Sequence, residues 1–400
     1  MMSLNAFLMA TGHHLAGWRH PDAQADGGLD FDHYRHLARQ AESAGFDAIF
    51  LSDTLAMLPG ELGALSRMAR TEHFEPLTLL GALAAVTERI GLIATMTTSY
   101  NDVATVARSF AGLEALGSGR SGWNLVTSSN ALEAHNFGRA HHFGHGERYG
   151  NAASFLQQVR QRWHAQGIAP VQVVAGASEA GREFAAQHAE VLFTAQTDLA
   201  SAQAFYRDVK GRMAAYGRRP EQLKILPGLM PLVATSTAQA WALHQQLQAL
   251  VQPKVGLSLL GDIAGGNDLS AYPLDGPLPA LPSTESGVSR RELLLDVARR
   301  EGLSIRQLYL KMAPARGHRL VVGDAAHIAN QMQQWFTEGA ADGFNIMPAY
   351  LPGGLESFIA QVVPLLQQRG LFRCGYAGRT LRDHLGLNPP EYDLEQRRHA

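Results

Sequence analysis

Small polar residues recur just beyond short apolar runs in this chain: Thr11, Gly12, His13 and His14; Ser52 and Asp53; Thr97, Thr98, Ser99 and Tyr100; Asn124 with Thr127, Ser128 and Ser129; and Gly176, Ala177 and Ser178. Groups of this size hydrogen-bond a heteroatom-rich ring without crowding it, which suggests a cofactor cradle. The stretch VVAGASEAGREFA (173–185) reads as a strand, a Gly-Ser turn and a helix beginning near Ser178. The amides of such a helix start are unpaired, and the macrodipole favours negative charge there by about 0.3 to 1 kcal/mol, so a phosphate would sit well. Ser178 reads equally well as an ordinary helix cap. The pattern G-x-x-x-x-G-K-[ST] is absent, so a nucleoside triphosphate site is not indicated.

Seventeen histidines raise the question of a metal. His13 and His14 are adjacent and diverge in most backbones, and His135, His141, His142 and His145 fall in one loop at no familiar ligand spacing with a carboxylate. No metal site is expected. One or two of these imidazoles are expected at the site as proton carriers, whereas His141 and His142 read as surface loop residues.

The elements that must position these groups alternate. Strands are predicted at residues 4–10, 46–51, 90–96, 121–126, 171–175, 191–194, 225–233 and 344–347, with helices at 31–43, 76–87, 103–116, 147–164, 179–188 and 201–216. Polar residues follow many different strands rather than gathering at one crevice. That favours an α/β fold of the closed (β/α)8 TIM-barrel type, a single domain spanning 1–400, over an open doubly wound sheet. Residues 252–318 break the rhythm with a Gly- and Pro-rich excursion and read as an insertion bearing a lid. Within it SRRELLLDVARREGLSIRQLYL has the outline of a helix-turn-helix reader, but a helical hairpin packed on the barrel is the preferred reading. Residues 371–400 form a polar C-terminal tail, expected to pack on a neighbouring subunit or to fray.

Composition narrows the partners. Hydrophobic residues make up 46% of 400, and 34 basic side chains nearly balance 36 acidic ones for a net charge of -2. Such a chain has ample core and no field to collect nucleic acid or an anionic membrane. Cys374 is the single cysteine, which excludes an internal disulfide. The start MMSLNAFLMATGHHLAGW lacks a basic leader and a small-residue cleavage site, and no apolar run reaches the roughly 20 residues of a membrane span, so a cytoplasmic protein is expected.

Several long stretches resemble one family. GWRHP (17–21), AESAGFDAIFLSD (41–53), FEPLTLLGALAAVTERIGLIATMTTSY (74–100), LGSGRSGWNLVTSSN (116–130), AHNFG (134–138), H-x-x-R-Y (145–149), AGASEAGREFAAQHAEVLFTAQ (175–196), GHRLVVG (317–323) and ADGFNIMPAYLPGGLESF (341–358) are similar to the bacterial luciferase-like flavin-dependent monooxygenases, in the nitrilotriacetate and dibenzothiophene-sulfone monooxygenase branch. The resemblance implies a luciferase-like barrel that takes reduced FMN from a separate NAD(P)H-dependent flavin reductase, uses O2 as co-substrate through a flavin hydroperoxide, and oxygenates a small nitrogen- or sulfur-containing compound. It implies that Asp53, Thr97 and Asn124 contact or flank the isoalloxazine ring. Tyr149, with the turn at Ala177 and Ser178, would hold the ribityl phosphate. His145 matches the position assigned to acid-base work and His14 a polar residue on the substrate side, while Arg148 is expected to brace the loop through a carboxylate. A homodimer or homotetramer is likewise implied. Members of the branch carry several dozen more residues between the helix near Trp163 and the strand at Val171, where this chain runs straight through. Two other readings compete: a deazaflavin-dependent hydride-transfer oxidoreductase of the same superfamily, and a non-catalytic flavin-binding protein.

Overall fold

A computed structural model describes residues 1–57, 60–69, 71–128, 130–282 and 288–389. Nine strands run in parallel: β1 (Ser3–Leu8), β2 (Ala48–Leu51), β3 (Gly91–Thr97), β4 (Ser121–Val126), β5 (Val171–Ala175), β6 (Val191–Thr194), β7 (Lys224–Ala234), β8 (Arg319–Asp324) and β9 (Gly343–Ile346). Each of β1 to β6 pairs with the next, β6 pairs with β7, β7 with β9 and β9 with β1, so eight strands close into a barrel. These are the eight predicted strands. The ninth, β8, is not among them; it lies outside the ring and pairs with the second half of β7, from Leu229 to Ala234.

The strands are nearly continuously apolar because both of their faces are covered, as parallel sheets require. Inside the ring Phe7, Phe50, Ile93, Val173, Leu226 and Met230 form one core. Outside it a larger core joins the strands to the surrounding helices. Phe7 stacks on Phe50 at 4.5 Å and meets Phe193 edge-on at 5.3 Å, so its role is packing.

The insertion carries its own core. Its helices Pro253–Ile263, Val288–Glu301 and Ile305–Met312 bury Leu259, Leu260, Leu294, Ile305, Leu308 and Tyr309 against Leu15 and Ala16 of the loop after β1. The hairpin turns at Gly302 with φ 60, and its apolar face packs inward. Its contact with the loop after β1 sets the insertion at the carboxyl end of the barrel, the end where sites form.

The tail differs from expectation. The segment up to residue 389 packs across the opposite end of its own barrel, with Leu381 and Leu385 joining the inner core and Arg382 paired to Glu190 at 2.6 Å. The polar residues that suggest fraying are spent on caps and ion pairs: Thr380 caps the helix Leu381–Leu385. Residues 390–400 lie outside the described residues.

The short link before β5 is locally determined. The helix His145–His164 stops at Gly167, φ 64, with the Ile168 amide bonded to the Trp163 carbonyl and the Gly167 amide to that of His164. This is the paired closure of a Schellman stop, which needs a residue free to adopt the left-handed region. Only Ala169 and Pro170 then separate the stop from β5. Among the described residues no helix is long and apolar enough to cross a membrane.

Candidate functional site

The barrel places the candidate residues on consecutive strand tips. Asp53 follows β2, Thr97 ends β3, Asn124 lies in β4 opposite Thr95 of β3, and Ala177 and Ser178 follow β5. They form an arc in two groups.

The first group is Asp53, Thr97 and Asn124. Asn124 is buried at 2% exposure; its Nδ2 donates to Thr95 Oγ1 at 2.8 Å, and Thr95 Oγ1 donates to the Leu51 carbonyl at 2.8 Å. With the amide thus oriented, Asn124 Oδ1 is a buried acceptor with no partner among the described residues. Thr97 Oγ1 accepts from the Ser99 amide at 3.1 Å, and Asp53 Oδ1 stands 3.7 Å from His73 Nε2. A groove of about 500 Å³ starts at Asp53, Thr95 and Thr97 and runs outward between the helices Pro76–Ala84 and Val103–Gly117 to Gly81, Gly112 and Leu116.

The second group is Tyr149, Ala177 and Ser178. Ser178 caps the helix Glu179–His188, its Oγ accepting from the Gly181 amide at 3.2 Å. A methyl group at Gly181 would come within 3.0 Å of Tyr149 Oη and 3.2 Å of Ser178 Oγ, so two hydroxyls and the helix start converge where glycine leaves room. Ser178 is therefore a cap, and its surroundings also suit an anion: amides point outward and hydroxyls stand beside them. Glu179 in the first turn is drawn off by Arg182 at 2.7 Å and Arg212 at 2.5 Å.

The histidines divide. His14 is 1% exposed in the loop after β1, across the ring from Asn124, with Nδ1 accepting from the Ala16 amide at 3.1 Å. His145 begins a helix, but its side chain lies outside the described residues, as does Ser129. His142, which reads in sequence as a surface loop residue, is instead half-buried: Nδ1 meets Tyr100 Oη at 2.5 Å and Nε2 faces the Ser128 carbonyl at 3.3 Å. Burial, helped by the Arg148 and Arg139 charges, outweighs the pull of the Ser128 carbonyl and of Glu133 and lowers its pKa. Arg148 braces the loop, donating to the Ser128 carbonyl.

Sequence reasoning misses this network at the rim. Ser128 adopts φ 56, and its Oγ bridges Thr97 Oγ1 and the buried carboxylate of Glu133. In sequence Ser128 stands out only as a small polar residue; nothing in the order of residues signals a left-handed serine. Arg19 donates to the Leu250 carbonyl, His20 stacks on the Tyr350 ring and Arg67 donates to the Gly63 carbonyl.

The family model described as luciferase-like monooxygenase matches residues 7–342. Nitrilotriacetate monooxygenase component A of Aminobacter aminovorans is 43% identical, with 98% of this chain and 97% of the relative covered. N-acetyl-S-(2-succino)cysteine monooxygenase of Bacillus subtilis (strain 168) is 42% identical over 97% of both. The crystal structure of DmoA from Hyphomicrobium sulfonivorans superposes with a TM-score of 0.87 at 26% identity, covering 99% of this chain and 95% of that one. The alignment to the Aminobacter protein spans 440 positions against a chain of 400, so that relative carries residues this chain lacks.

Proposed function

The chain belongs to the luciferase-like monooxygenase family, and we propose that it oxygenates a small nitrogen- or sulfur-containing organic compound with O2 and FMN, reduced by a separate NAD(P)H-dependent flavin reductase. The observation that carries the reading is the arc itself: an unsatisfied acceptor at Asn124 Oδ1 at one end and the hydroxyl-flanked helix start at Ser178 at the other. A planar ring with N-H donors suits the first, and a phosphate tail suits the second.

When bound, the flavin supplies the oxygen chemistry. The chain's own residues do the rest. Asn124 accepts a hydrogen bond from the ring and, with Thr97 and Asp53, fixes its orientation. Tyr149, Ala177 and Ser178 hold the phosphate through hydroxyl and amide donors. The insertion at 252–318, seated beside the loop after β1, acts as the lid that keeps water from the reacting atoms. His14 faces the substrate side, and His145 takes the acid-base role toward the substrate.

The name "component A" of the Aminobacter relative supports a separate reducing partner. The same reading takes the protein as a cytoplasmic homodimer or homotetramer. Its test is oxygen uptake by the chain loaded with chemically reduced FMN, in the presence of small amines, sulfides and sulfones. One of these should stimulate uptake and acquire label from isotopic dioxygen. Anaerobic oxidation of a reduced deazaflavin, with no label entering any product, would establish the hydride-transfer alternative instead.

A further inference from the structure

At the tips of β3 and β4 a buried acid ends a short chain of hydroxyls. Glu133 is 4% exposed; its Oε2 lies 2.5 Å from Ser128 Oγ, which lies 2.8 Å from Thr97 Oγ1. Its Oε1 accepts from Thr54 Oγ1 at 3.1 Å. Among the described residues no cation forms an ion pair with this carboxylate. Ser128 is held at φ 56, a conformation unfavourable for a non-glycine residue, by the Arg148 bond to its carbonyl. Thr97 borders the groove beside Asp53.

A serine hydroxyl has one hydrogen, so Ser128 cannot donate to Glu133 and Thr97 together. The chain therefore has two polarities. With Glu133 ionised, Thr97 donates to Ser128 and Ser128 to the carboxylate. With Glu133 protonated, the carboxyl donates to Ser128 and Ser128 to Thr97. The two states differ by one proton, moved along three oxygens.

We propose that Glu133 holds the proton that oxygenation consumes and delivers it to the site through Ser128 and Thr97. The proposal rests on the reduced-FMN reading above. The reduced flavin anion, one proton, O2 and substrate yield oxidised flavin, oxygenated substrate and water. Two electrons pass from flavin to oxygen and the O-O bond breaks. One oxygen atom bonds to substrate, and the other leaves as water with the flavin's hydrogen and the added proton. Without substrate, the same anion and the same proton yield oxidised flavin and hydrogen peroxide. In either case one proton must arrive, and Glu133 regains it from solvent by way of Thr54, half-buried at the rim. Glu133 touches neither flavin nor substrate; it is a positioning residue acting through two hydroxyls. Among the described residues Glu133 acts on Tyr100 and His142, on which the charges of Arg139 and Arg148 also act.

The test uses the full chain loaded anaerobically with chemically reduced FMN, its binding measured first, then mixed with aerated buffer while the return of oxidised flavin is followed across the acid and neutral range. Glu133→Gln should bind reduced FMN as the wild type does but reoxidise it roughly a hundredfold more slowly and without the wild-type pH dependence. Ser128→Gly removes the hydroxyl, suits the left-handed backbone and should give the same loss, with no further loss in the double variant. Wild-type rates and pH dependence in Glu133→Gln or in Ser128→Gly would overturn the proposal, and Ser128→Gly decides alone if the first variant does not fold. Failure of the wild type to bind reduced FMN is a separate result, read before air is admitted, that overturns the flavin reading.

Discussion

Asn124 and Thr95, on neighbouring strands, are joined by a 2.8 Å bond from Nδ2 to Oγ1 that fixes which way the Asn124 amide faces. The consequence is a buried carbonyl oxygen with no partner among the described residues. Leaving such an acceptor unsatisfied costs about 1 to 3 kcal/mol, which a ring N-H would recover. Replacing Asn124 by Ala should therefore weaken FMN binding roughly tenfold, measured by flavin fluorescence titration. An unchanged dissociation constant would remove Asn124 from the site.

The turn after β5 makes a separate claim, about the phosphate. Gly181→Ala puts a methyl group 3.0 Å from Tyr149 Oη and 3.2 Å from Ser178 Oγ, and so pushes the two hydroxyls apart. Affinity for FMN should fall about tenfold while affinity for riboflavin, which lacks the phosphate, should not change. Ser178→Ala should give the same selective loss and cost about 1 kcal/mol of stability as a helix cap. Equal losses for both flavins would place the phosphate elsewhere.

At the far end of the barrel His384 titrates abnormally. It is 7% exposed, with Nε2 2.7 Å from the Arg89 carbonyl, and burial followed by the Arg373 charge brings its pKa from 6.5 down to about 4. The unfolded chain then binds the proton more readily than the folded one. Stability from this group is full above 6.5 and is lost as pH falls toward about 4. Urea unfolding on the two sides of that window should show His384→Gln losing about 1 to 3 kcal/mol less than the wild type. Parallel losses would show that His384 is not the group responsible.

Leu381 tests the tail. It is fully buried in the inner core at the end remote from the candidate site. Leu381→Ala should cost about 2 to 5 kcal/mol in chemical denaturation and leave FMN affinity intact. A change within a few tenths of a kcal/mol would mean that the tail does not close the barrel in solution.

The ring is legible in the sequence because each ring strand is an apolar run bounded by turn residues: the predicted limits of β4, β5 and β6 coincide with those observed. Strand β8 is hidden because Arg319–Asp324 is a short run that only the overhanging half of β7 needs as a partner. The candidate residues at strand tips can be found by position alone, since Asp53, Thr97 and Asn124 occupy the ends that a barrel must converge. Glu133 and His142 cannot. They are drawn together by a serine in a backbone conformation that residue order does not announce and by a loop folding back across a neighbouring one.

The central claim is that this arc seats a flavin by its ring and by its phosphate. Anaerobic calorimetry of the purified chain with chemically reduced FMN tests it most directly. One-site binding, tighter than that of reduced riboflavin, is the expected outcome. Absence of a binding signal with FMN in either redox form would contradict it.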